Sequence, residues 1–149
     1  MYEDILAFWF GELTPAQWWK SDEKVDVDIK QRFSDIHAKA ARCELFDWRM
    51  AAKGRLAEII ILDQFSRNIF RDDAQSFAND SLALALAQEA LAVGADKALS
   101  PVERSFLYLP FMHSESEEIH QVAVILYTEL GITGNLDFEF KHKEIIDRF

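Results

Sequence analysis

The chain is short of the features that mark several protein classes. One cysteine, Cys43, excludes an internal disulfide and fits a reducing compartment. Five glycines and three prolines leave little for turn-rich sandwiches or low-complexity linkers. No apolar run approaches the roughly 20 residues of a membrane span. The opening MYEDILAFWFGE places acids, not bases, before its apolar residues, so it does not read as a signal peptide. Those absences lead us to expect a cytoplasmic protein with no membrane partner.

What is present is apolar and acidic. Half of the 149 residues are hydrophobic, with 12 Phe and 4 Trp, enough for a substantial core in one helical domain over residues 1–149. The net charge of −10 is unevenly spread. Residues 1–48 carry 6 basic and 10 acidic groups, residues 49–71 carry 5 and 2, and residues 72–149 carry 5 and 14. An acidic surface argues against nucleic acid as a partner, because backbone binding needs a broad basic face. The basic island suits a small anion, an acidic peptide or an acidic segment of the same chain.

That island lies in GRLAEIIILDQFSRNIFR, residues 54–71. At about 100° per residue, Asp63, Gln64, Arg67, Asn68 and Arg71 share one arc, opposite Leu62, Phe65, Ser66, Ile69 and Phe70. Ile59, Ile60, Ile61 and Leu62 point in every direction, the pattern of a helix surrounded by protein. Ile59, Ile60, Leu62, Phe65, Ile69, Leu107, Leu126 and Phe138 are the expected core.

About seven helices are expected, and no sheet. The first spans Glu3–Phe10 and stops at Gly11. Thr14-Pro15 opens a short turn holding Trp18 and Trp19, whose rings point about 100° apart, so at most one lies deep. Val25, Ile29, Phe33, Ile36 and Ala40 form an apolar stripe from Asp26 to Arg42, with His37 at its edge. Residues 43–53 lose the pattern and read as a loop. Asn79 and Asp80 cap a helix from Ser81 to Val93, closed by Gly94. Ser100-Pro101-Val102-Glu103 is a capping box with proline at the first helical position, and Pro110 breaks the helix that follows. Ser114-x-x-Glu117 reads as a second box, opening a helix that buries Ile119, Val122, Ala123, Leu126 and Leu130. A last helix from Asn135 holds Phe138, His142, Ile145 and Phe149 on one stripe.

Two runs, ILDQFSRNIFR (61–71) with SFAND (76–80), and ERSFLYLPFMHSE (103–115), resemble the bacterial family known as domain of unknown function 924. FWF near the start, the Trp18-Trp19 pair and Gly54 to Ala57 extend the likeness. The resemblance implies an all-α, tetratricopeptide-like stack of antiparallel helix pairs and no assigned activity, although no 34-residue period is visible in the sequence. Two departures stand out. Ser66 occupies a position where the family usually has proline, and the family continues beyond Arg148-Phe149 into a basic segment that this chain is expected to lack.

The polar arc admits three readings. In the first it is a buried network fixing helix register. In the second it binds an anionic small molecule or acidic peptide through Asp63, Gln64, Arg67, Asn68, Arg71, Arg104, His113 and Glu115, since the guanidinium fork suits carboxylate and phosphate alike. The third is hydrolase-type acid–base chemistry with His113 or His142 as base, and Glu115 or Asp63 orienting it. Glycine-rich phosphate loops, activated Ser or Cys signatures and HExxH are absent, so no cofactor is expected. His113, Glu115, Glu117 and His120 do not make a metal set, because one helix cannot turn all four inward.

Overall fold

The computed structural model describes residues 1–131, which are helices and turns without a strand. The expected all-α class is what the chain adopts. No helix among the described residues is long and apolar enough to cross a membrane. The expected helix carrying Phe138 and His142 lies outside the described residues. The chain divides into two compact units, residues 1–79 and 80–149.

In the first unit, α1 (Tyr2–Leu6) runs into a π-helical turn over Ala7–Glu12, so the helix passes through Gly11 and ends at Leu13 instead. Gly11 has open space around its Cα, and nothing local forces a stop there. The short α2 (Pro15–Trp19) starts from Thr14, whose backbone N–H donates to the Gln17 side chain at 2.8 Å. Trp18 is half-buried and Trp19 exposed, and the Trp18 indole N–H donates to the Trp9 carbonyl at 2.8 Å.

The long α3 (Glu23–Ala41) is capped by Asp22, which accepts from the backbone of Lys24 and Val25. Val25, Ile29, Phe33 and Ala40 are buried as expected, but His37 is buried and Ile36 only half-buried. Steps of four from Val25 through Phe33 lead to residue 37, and the ring there finds a hydrogen-bond partner that lets it stay inside.

Residues expected to be a loop contain a 3-10 helix, Phe46–Met50. It lies against the start of α4 (Ala52–Ile60) at Gly54, where an added Cβ would stand 2.0 Å from the Trp48 carbonyl oxygen. Glycine is therefore required by the contact itself. α4 packs on α1, and the π-helical turn that continues it, Ile61–Phe65, packs on α3. Leu56, Ala57 and Ile59 to Leu62 are at most 1 % exposed. The rod is enclosed on every side, as its all-round apolar pattern predicts. Phe65 closes an aromatic cluster, with its ring 5.2 Å from Phe33 and 6.2 Å from Phe8. At about 25 cal/mol per Å² of apolar area buried, such rings dominate the stability of the unit. α5 (Ser66–Ile69) then ends the rod two residues before Arg71, with Ile69 half-buried.

In the second unit, α6 (Asp80–Ala92) starts one residue earlier than expected and is followed by Gly94, left-handed at φ 72. Ala83, Ala87 and Ala90 are fully buried on one stripe, and small residues there let α6 approach α8. α7 (Pro101–Leu107) carries the expected capping box, with Glu103 N–H donating to Ser100 Oγ and Ser100 N–H to Glu103 Oε1 at 2.9 Å. The helix breaks at Tyr108, and Pro110 is the second residue of α8 (Leu109–His113) rather than the stop itself. The next helix, α9 (Glu117–Leu130), is capped by Ser116 rather than Ser114. Ser116 Oγ accepts from Ile119 N–H, while Ser114 Oγ accepts from Ser116 N–H and so shapes the turn before the cap. α9 turns His120, Ala123 and Tyr127 inward rather than the expected stripe, leaving Val122 exposed and Ile119, Leu126 and Leu130 half-buried.

Candidate functional site

The polar arc sits where the rod changes pitch. A π-helical turn over Ile61–Phe65 inserts one residue relative to an α-helix, so a uniform 100° wheel no longer describes both ends. Asp63 and Gln64 face inward, 1 % and 8 % exposed. Arg67 and Asn68 are half-buried, and Arg71 reaches the surface beyond the end of α5.

Each arginine has a carboxylate of its own. Arg67 Nη1 donates to Asp63 Oδ1 at 2.7 Å and to the Asp63 carbonyl at 3.0 Å. Gln64 Nε2 donates to the other oxygen, Asp63 Oδ2, at 3.3 Å. Arg71 turns instead to Asp26 on α3, with Nε to Oδ2 at 2.6 Å and Nη2 to Oδ1 at 3.0 Å. Asn68 donates to the same Asp26 Oδ1 at 2.8 Å, and Arg71 Nη1 reaches Ser21 Oγ at 3.1 Å. Burial pushes the Asp26 carboxyl up, but the bonds from Arg71 and Asn68 outweigh it and hold it below the usual carboxylate range. Asp26 and Ser21 were not among the expected site residues. No local signal pairs them with a helix 42 to 50 positions away.

Arg67 and Arg71 form one wall of a groove of ≈ 430 Å³, with Asp72, Asp73, Ser76 and Phe77 among its other lining residues. The Arg67 guanidinium lies over the Phe77 ring, 5.5 Å from its centroid, and Phe77 is 62 % exposed. Asp72 holds a left-handed backbone at φ 66. Asp73 caps the short 3-10 helix Ala74–Phe77, accepting from Gln75 N–H at 2.8 Å.

Two other polar pairs lie nearby in the chain. His37 Nε2 and Ser66 Oγ are 2.7 Å apart, both buried, and Ser66 Oγ donates to the Leu62 carbonyl at 2.6 Å. The only hydroxyl proton is thereby committed, so His37 Nε2 carries the hydrogen and donates to Ser66. A histidine in that tautomer cannot take a proton from the serine at this nitrogen, which makes the pair a helix-to-helix clamp rather than an activated nucleophile. Burial lowers the His37 pKa. Arg49 pairs bidentately with Glu58, both bonds at 2.8 Å, and Glu58 is 1 % exposed.

The remaining expected site residues belong to the second unit. Arg104 donates to the backbone carbonyls of Asp96, Leu99 and Lys97, and so terminates the 3-10 turn Ala95–Ala98. His113 ends α8, half-buried, and Glu115 is exposed in the turn that follows. His120 is fully buried with its Nε2 against the Ser114 carbonyl, and Glu117 is exposed. Among the described residues, no group of three or more His, Cys, Asp or Glu side chains is placed to hold a metal ion. His142 lies outside the described residues. Tyr108 donates to Asp96 Oδ2 at 2.8 Å, and burial together with that bond raises its pKa.

A family model described as bacterial protein of unknown function, DUF924, matches residues 5–149. A solved structure of the protein of unknown function ATU0120 from Agrobacterium tumefaciens is similar at 40 % identity and a TM-score of 0.94, over 99 % of this chain and 83 % of that one. No curated protein matches closely enough to count as a relative. With nearly its whole length matched, the chain belongs to the DUF924 family of bacterial proteins.

Proposed function

We propose that this protein is a binding module whose groove beside Arg67 and Arg71 takes a small molecule or peptide segment through a carboxylate. One observation carries the reading. Arg71 is fixed by Asp26 and Ser21 through three of its five N–H groups, leaving two for a ligand at the groove wall. A guanidinium held in place before the ligand arrives loses little freedom on binding, which is how arginine serves recognition. The exposed Phe77 ring supplies an apolar surface next to that charge.

A thermal-shift assay with 3-phenylpropionate tests this. At about 100 times its dissociation constant, a ligand stabilises the folded state by about 2.7 kcal/mol. The wild type should gain this stabilisation and Arg71→Ala should lose it. Equal stabilisation of both proteins, or of neither, would refute the groove as a carboxylate site.

A further inference from the structure

We propose, building on the carboxylate groove, that its ligand is a zwitterion of the aromatic α-amino-acid class rather than a simple anion. The charges around the groove motivate this. Among the described residues, its two arginines pair with Asp63 and Asp26 and the groove adds Asp72 and Asp73, two positive groups and four negative ones for a net −2. The chain as a whole carries −10. A bare anion entering there meets donors at one wall and repulsion from the rest.

A ligand with an ammonium next to its carboxylate reverses that second contribution. Asp72 directly follows Arg71 in the chain; the bond to Asp26 is the main cause that raises the Arg71 pKa, and the Asp72 charge adds to it. Among the described residues Asp72 accepts no hydrogen bond, and Asp73 commits only Oδ1 to its cap. Carboxylate oxygens are therefore open to an ammonium beside the wall that offers N–H groups to a carboxylate. The third element is the Phe77 ring, 62 % exposed and bearing the Arg67 guanidinium on its face. Aromatic and guanidinium planes together accept a flat apolar group by stacking. The groove's ≈ 430 Å³ lies at the small end of ligand sites, which suits a single amino acid.

Calorimetric titration of the full chain with three probes separates the possibilities: L-phenylalanine, 3-phenylpropionate, which lacks the ammonium, and 2-phenylethylamine, which lacks the carboxylate. A charge-assisted hydrogen bond changes affinity by about tenfold or more. L-phenylalanine should therefore bind at least about tenfold more tightly than either half, and Asp72→Asn should abolish that advantage without weakening 3-phenylpropionate, which loses a repelling charge. If 3-phenylpropionate binds as tightly as L-phenylalanine, or if the advantage survives in Asp72→Asn, the zwitterion assignment is overturned while the carboxylate groove stands. If no probe binds, both fail.

Discussion

Arg49–Glu58 and Arg71–Asp26 share one geometry and face different surroundings. In both, Nε and Nη2 of an arginine meet the two oxygens of one carboxylate. Glu58 is 1 % exposed and belongs to the enclosed part of α4, whereas the Asp26 side chain is 16 % exposed and its arginine 36 %. The first pair is a fastening between the 3-10 helix Phe46–Met50 and α4. The second holds an arginine at the edge of a groove. A bidentate pair therefore does not by itself mark a site, and the side of the guanidinium facing away from the carboxylate decides what the pair is for.

The comparison breaks most severely at Gly54. Gly54→Ala drives a methyl into the Trp48 carbonyl, displacing the segment that delivers Arg49, and should destabilise by about 3 kcal/mol or more or prevent folding. Soluble yield and urea unfolding report it. Arg49→Ala comes next, since it leaves the Glu58 carboxylate buried without its partner, a loss of roughly 3 to 5 kcal/mol. Arg71→Ala, measured in the same way, should cost only about 1 kcal/mol because water reaches Asp26. Equal losses for the two arginines would erase the distinction between fastening and groove wall.

Acid sharpens it further in two separate windows. The folded Asp26 pKa is depressed, so its contribution to stability is complete above the unfolded value of about 3.9 and is lost as pH falls below it towards the folded value. His37 is also depressed, by burial. The unfolded chain then binds the proton first, so stability is complete above about pH 6.5 and falls as pH drops below that value towards the folded pKa, at most about 1.4 kcal/mol per pH unit. Urea midpoints measured between pH 4 and 8 should show this slope, and His37→Gln should flatten it.

Local chemistry was legible in advance and distant pairing was not. Ser100 and Glu103 announce their helix because both partners of the box lie within three residues, and the all-round isoleucines announce the enclosed rod because the pattern needs no knowledge of neighbours. The cap lies at Ser116, two residues beyond the expected Ser114, because Ser114, Ser116 and Glu117 offer overlapping capping patterns and only the turn geometry selects among them. The π-helical turn over Ile61–Phe65 has no residue that signals it, so a uniform helical wheel is too regular for the arc of Asp63, Gln64, Arg67, Asn68 and Arg71. Of those five, Arg67 and Arg71 line the groove while Asp63 tethers Arg67 and Asn68 braces Asp26. Asp26 itself was out of reach, since nothing in a sequence pairs position 26 with position 71.

Arginine Nε–H resonances, followed by NMR while 3-phenylpropionate is added, test the groove most directly. The Arg67 and Arg71 signals should shift together along one saturating curve, and the Arg49 signal, bound to buried Glu58, should stay in place. Arg67 and Arg71 signals that do not move, or an Arg49 signal that moves as far as theirs, would contradict a carboxylate site at this wall.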